Sequence, residues 1–169
     1  MKRFFQSGLV IAAGVLGVAA ATAQSNEFEK TLDITKNRKK FDLRETLLRK
    51  FLKDQKCPAE TFAGVFVAEA DAHGLDWRLL PSLAFVETGA GKQARHNNLF
   101  GWANGKSRFD SISEAIHEVA HVLSEGRYYR DKTLLAKLKV YNRHQGYSQL
   151  VTGVMERIAP APSMQMQTE

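Results

Sequence analysis

From residue 41 to residue 158 the apolar positions recur mostly at intervals of three and four, the period of a buried helix face. Nowhere do they alternate over a length that a strand would need. Asp42-x-x-Glu45 has the form of a capping box, and it opens a helix whose core side reads Leu43, Leu47, Leu48, Phe51 and Leu52. Pro58 to His73 predicts a second helix with Phe62, Val65, Phe66 and Glu69 or Ala70 on successive turns. A third, Asp76 to Thr88, follows the stop at Gly74. Ile112 to Ser124, begun by Ser111 or Ser113, carries its stripe at Ile112, Ile116, Val119 and Leu123. Lys132 to Tyr141 is shorter. Gly146 to Ile158 is the last, with Tyr147, Leu150, Val151, Val154, Met155 and Ile158 on one side and Gly153 weakening it. The pattern predicts an all-α fold of about six helices around the third. At most a small hairpin is expected at Trp102 to Ser107, where Asn104-Gly105 suits a primed turn.

The third helix holds the most informative polar residue. Pro81 fits a first turn, so the regular helix should begin near Leu79 or Leu80, and Gly89 can end it in the left-handed conformation. On a 100° wheel Leu79, Leu83 and Val86 form a stripe with Leu80 on its flank. Glu87 falls within about 40° of the stripe's centre. Its carboxylate is therefore expected on the core-facing side, at the negative end of the helix dipole. Both conditions favour the protonated acid, the form a proton donor needs. The alternative is a glutamate turned aside to pair with Lys92 or Arg95.

Composition sets the surroundings. Met1-Lys2-Arg3, the apolar run Gly8 to Ala21, and Ala21-Thr22-Ala23 fit a signal peptide over residues 1–23. The run is too short and alanine-rich for a comfortable membrane span. Residues 24–40 read as a flexible basic leader ending in Lys36, Arg38, Lys39 and Lys40, residues 41–159 as one folded domain, and 160–169 as a disordered tail. The whole chain carries +6; without Lys2 and Arg3 there are 22 basic against 18 acidic residues, a net +4. That surface suits an anionic polymer, and no nucleic-acid fingerprint accompanies it. Cys57 is the only cysteine, so no internal disulfide forms, and no base lies near it in sequence to make it a nucleophile. An exported monomer needing no cofactor or metal is expected.

The downstream residues sharpen the chemistry. Glu87-Thr88-Gly89 is followed by Asn97-Asn98-Leu99-Phe100-Gly101, then by Phe109-Asp110-Ser111 into a helix, and finally by Tyr141-Asn142. In this order and spacing, over residues 60 to 158, the chain resembles the bacterial peptidoglycan glucosaminidases of the endo-β-N-acetylglucosaminidase type, within the lysozyme-like superfamily. The resemblance implies a lysozyme-like helical domain in which Glu87 protonates the leaving glycosidic oxygen. Asn97, Asn98, Phe100, Trp102, Tyr141 and Asn142 would bind the GlcNAc/MurNAc strand. One of Phe100 and Trp102 is expected in the core, and Trp102 is the better partner for a sugar, with a flat face to stack and an indole N–H to keep wet. Tyr141 also ends a Leu134, Leu138, Tyr141 stripe and would serve equally as core.

The pattern departs from the family in one respect: no Asp or Glu stands between Glu87 and Asp110. A two-carboxylate hydrolase needs the second within ~5–10 Å of the first. Three mechanisms stay open: Asp110 or Glu114 as base, the substrate's N-acetyl group as nucleophile, or Glu87 alone, giving an anhydro sugar as lytic transglycosylases do. A non-catalytic glycan-binding module is the alternative outside catalysis.

A competing motif is His117-Glu118-Val119-Ala120-His121, which spells the zinc-peptidase run His-Glu-x-x-His. The wheel puts His117 and His121 opposite the apolar stripe, where Glu114–His117 and His121–Glu125 would be ordinary neighbour pairs. Catalytic zinc takes three protein ligands. Arg127 stands where one such class places its third histidine, which leaves His144 or Glu156 to an unknown fold.

Overall fold

The computed structural model describes residues 41–160. The signal and leader assigned to residues 1–23 and 24–40 lie outside them, as does all of the 160–169 tail except Pro160. The fold is all-α, and no strand occurs among the described residues. Its elements are α1 (Leu43–Asp54), a 3-10 turn (Pro58–Phe62), α2 (Ala63–Ala72), α3 (Leu79–Thr88), α4 (Ile112–Glu125), α5 (Leu134–Tyr141) and α6 (Tyr147–Ile158). None of these helices is long and apolar enough to cross a membrane.

Side-chain caps open three of the six described α-helices. Asp42 accepts from the Arg44 N–H at 2.8 Å, Ser111 from the Glu114 N–H at 3.0 Å, and Thr133 from the Ala136 N–H at 3.4 Å. The Thr133 cap starts α5 two residues later than the Lys132 expected. Pro58 begins a tighter 3-10 turn, so the single helix expected from Pro58 to His73 is two elements in sequence. The hairpin expected at Trp102–Ser107 has no strands. Ala103, Asn104 and Gly105 all take positive φ (52°, 54° and 78°), and the chain coils there into consecutive turns.

α3 packs against α2, α4 and α6. Leu79, Leu80, Pro81, Ser82, Leu83 and Ala84 are all buried, so its first six residues have no solvent side. A helix enclosed in this way is a core rod rather than an amphipathic one. Each leucine buried there contributes roughly 2 kcal/mol. Val86, expected in the apolar stripe, is only partly buried. The rod is fastened at its start. Arg78 donates to the Ala159 carbonyl at 2.8 Å and pairs with Asp76 at 2.7 Å, joining the start of α3 to the end of α6.

Two expected core residues are exposed: Leu43 at 59% and Leu150 at 62%. In α1 the buried arc is Leu48, Phe51 and Leu52, which leaves Leu43 more than 100° from its centre. Leu150 lies roughly 80° from the centre of the Tyr147, Val151, Val154, Met155, Ile158 arc.

Candidate functional site

Glu87 stands in the last turn of α3, partly buried, where the rod emerges from the core. Gly89 ends the helix in the left-handed conformation, φ 63°. Thr88 is buried and turns back: its hydroxyl donates to the Leu99 carbonyl at 2.7 Å and accepts the Gly91 N–H at 3.2 Å. The loop after α3 is thereby tied to the helix end. Gly101, at φ 64°, comes so near that a Cβ there would stand 3.4 Å from Glu87 Oε2.

The other carboxylate oxygen has a partner that helical periodicity places in the core stripe of α6. Tyr147 donates its hydroxyl to Glu87 Oε1 at 2.6 Å. Its ring stacks on Tyr141, with centroids 6.0 Å apart and 11° between planes. Burial, then the hydrogen bond to Glu87 and its charge, push the Tyr147 phenol far above its ordinary range. Burial, then Glu87's charge, do the same to Tyr141, whose hydroxyl donates to the Phe100 carbonyl at 3.2 Å. Both phenols therefore stay protonated and act as donors at neutral pH.

Around these groups lies a cleft of about 340 Å³, lined by Glu87, Phe100, Gly101, Trp102, Ala103, Asn104, Tyr129, Tyr141 and Asn142. That is at the small end of ligand sites. Glu87 is the one carboxylate among those residues. Tyr129 was not anticipated; it is placed by Lys137, whose ammonium donates to the Tyr129 and Leu123 carbonyls and so ties α5 to the end of α4. A wider cavity of about 730 Å³ adjoins, sharing Asn142 and lined also by Lys139, Arg143, His144 and Gln149.

The six residues expected to bind substrate divide. Trp102, Tyr141 and Asn142 line the cleft. Phe100 borders it, but its side chain is 1% exposed and belongs to the core. Asn98, also 1% exposed, is a clamp: its amide donates to the Trp102 carbonyl at 2.9 Å and accepts the Trp102 N–H at 3.0 Å. Asn97 does not line the cleft; its amide donates to the Phe109 carbonyl at 2.9 Å and zips the loop shut beneath Trp102. Asp110 and Glu114 also lie outside the lining, and the Glu114 carboxylate accepts the Asp110 N–H.

The His-Glu-x-x-His run lies on the exposed side of α4, as the wheel requires, with His117 and His121 side chains 54% and 49% exposed. His121 pairs with Glu125 at 3.6 Å as expected, whereas His117 pairs with Glu69 of α2 at 2.9 Å rather than with Glu114. His73, its side chain 10% exposed, lies against both, with ring centroids 5.5 Å from His117 and 5.9 Å from His121. Among the described residues two ligand-competent groups result, Glu69/His73/His117 and His73/His121/Glu125. His117 and His121 fall in different groups, and Glu118, His144 and Glu156 in neither. Cys57 is buried and free, and its thiol is pushed up by burial, which leaves it unreactive.

No family model, curated protein or solved structure matches this chain.

Proposed function

We propose that this protein is an exported peptidoglycan-cleaving enzyme that breaks β-1,4 bonds of the amino-sugar backbone with Glu87 as general acid. The observation that carries the reading is a single carboxylate at the end of a buried rod, held by a tyrosine and opening into a cleft walled by Trp102, Tyr141 and Asn142. Tyr147 occupies Oε1, so the transferable proton belongs on Oε2, the oxygen beside Gly101. Glu87 gives that proton to the glycosidic oxygen, the C1–O bond breaks, and the carboxylate left behind is stabilised by the Tyr147 hydroxyl. Trp102 offers a flat face to a sugar ring. Lys139 and Arg143 in the adjoining cavity suit the anionic groups of the polymer.

The lone carboxylate also favours a specific route. With no second acid in the cleft lining among the described residues, the positive charge at C1 is captured by the substrate itself. The N-acetyl carbonyl oxygen can attack, to be displaced later by water. Alternatively the C6 hydroxyl closes an anhydro ring and returns its proton to Glu87. Digestion of purified sacculi followed by mass analysis separates the possibilities. Reducing ends mark hydrolysis and anhydro ends mark transglycosylation, while no release at all leaves only a glycan-binding module. Glu87→Gln keeps an oxygen for Tyr147 but has no proton to give. Fragment release should fall by at least about a hundredfold with the melting temperature unchanged or higher. Release at the native rate by that variant sinks the assignment.

A further inference from the structure

We propose that Glu69, His73 and His117 form a binding site for one zinc-class divalent transition-metal ion, stapling α2 to α4 outside the lining of the Glu87 cleft. The donor set is two imidazoles and one carboxylate, the set such ions take with a fourth position left for water. Four-coordinate zinc, with bonds of roughly 2.0–2.2 Å, sets its ligand atoms about 3.4 Å apart. Glu69 Oε2 lies 2.9 Å from His117 Nδ1 and 3.6 Å from His73 Nε2, so the observed spacings bracket that value. All three ligand atoms fall within 4.8 Å of one another.

The ring of His73 is already set for the task. Ser124 Oγ donates to the His121 carbonyl at 3.0 Å, so toward His73 Nδ1, 3.2 Å away, it accepts. The ring proton therefore sits on Nδ1 and the lone pair on Nε2, the atom facing Glu69. A hydrogen bond at the far nitrogen is how ligating histidines are held in the right tautomer. The same assignment argues against the neighbouring group. His73 would have to use Nδ1 there, and its spacings of 3.6 and 3.9 Å are wider. The helices explain the convergence: Glu69 lies in the last turn of α2, His73 is the C-cap residue four positions on, and α4 packs directly across that helix. Glu118 is not part of the set, so the site binds an ion without the peptidase's general base.

The test uses the full untagged chain, stripped with a chelator and titrated with Zn²⁺ in a calorimeter. One equivalent should bind and raise the melting temperature. His117→Ala, at an exposed position where the fold tolerates it, and Glu69→Gln should each weaken binding more than about tenfold and abolish the thermal shift. Glu118→Gln and His121→Ala should leave both within about twofold. Absence of binding overturns the proposal. So does binding that survives His117→Ala, or that is lost with His121→Ala instead.

Discussion

The carboxylate of Glu87 and the hydroxyl of Ser82 sit five residues apart on one helix under opposite conditions. Glu87 has a phenol at 2.6 Å and an open cleft beside it. Ser82 is 0% exposed and its hydroxyl meets no partner. An unpaired buried hydroxyl costs roughly 1–3 kcal/mol, and alanine fills nearly the same space without it. Ser82→Ala is therefore expected to raise stability by about 1 kcal/mol, seen as a melting temperature higher by about 3–5 °C. An unchanged or lower midpoint would show that the hydroxyl is satisfied in solution. The sequence could not announce either condition. Tyr147 reads as one more apolar position in a 3.6-residue stripe, and only the approach of α6 to α3 turns its hydroxyl onto Glu87.

At the scale of elements, the 97–109 loop is built as a unit. Asn97 reaches Phe109, Asn98 grips both backbone groups of Trp102, and Thr88 holds the Leu99 carbonyl. The motif Asn-Asn-Leu-Phe-Gly thus shapes the cleft chiefly from beneath. Asn98→Ala leaves the Trp102 N–H without its partner, while the Trp102 carbonyl keeps the Gly105 and Ser107 N–H groups, a loss of about 1–3 kcal/mol by denaturant titration. A residue that contacted glycan alone would leave stability untouched, so a wild-type midpoint would return Asn98 to the substrate. The helices themselves were legible, because caps and breakers act locally: Asp42, Ser111, Gly89 and Pro81 lie where their chemistry requires. The 3-10 turn at Pro58 and the coil at Ala103–Gly105 were not, since both depend on how the flanking helices meet.

For the whole molecule, the stacked tyrosine pair couples the cleft to global stability. Tyr141 and Tyr147 are raised chiefly by burial and then by Glu87, and Tyr129 is raised by burial. In the unfolded chain these phenols lose their protons near pH 10. The folded chain holds them longer, so above that pH it binds more protons than the unfolded chain and stability falls as pH rises. Alkaline unfolding should accordingly begin above about pH 10, and in Tyr147→Phe its pH dependence should be shallower. An unaltered alkaline limb in that variant would remove Tyr147 from the account. Much of this molecule follows from its sequence alone: the all-α class, the order of the helices with most ends placed within a few residues, the central position of the third helix, and Glu87 in its last turn. Those features rest on periodicity and on caps, which are interactions between near neighbours. Tertiary structure decided which oxygen of Glu87 is held, that Asn98 clamps Trp102, that among the described residues no other carboxylate lines the cleft, and that His73 meets His117 between two helices. Each of these is a meeting of residues distant along the chain, set by how helices pack, and helical periodicity records only which side of a helix is buried, never what waits on the other side.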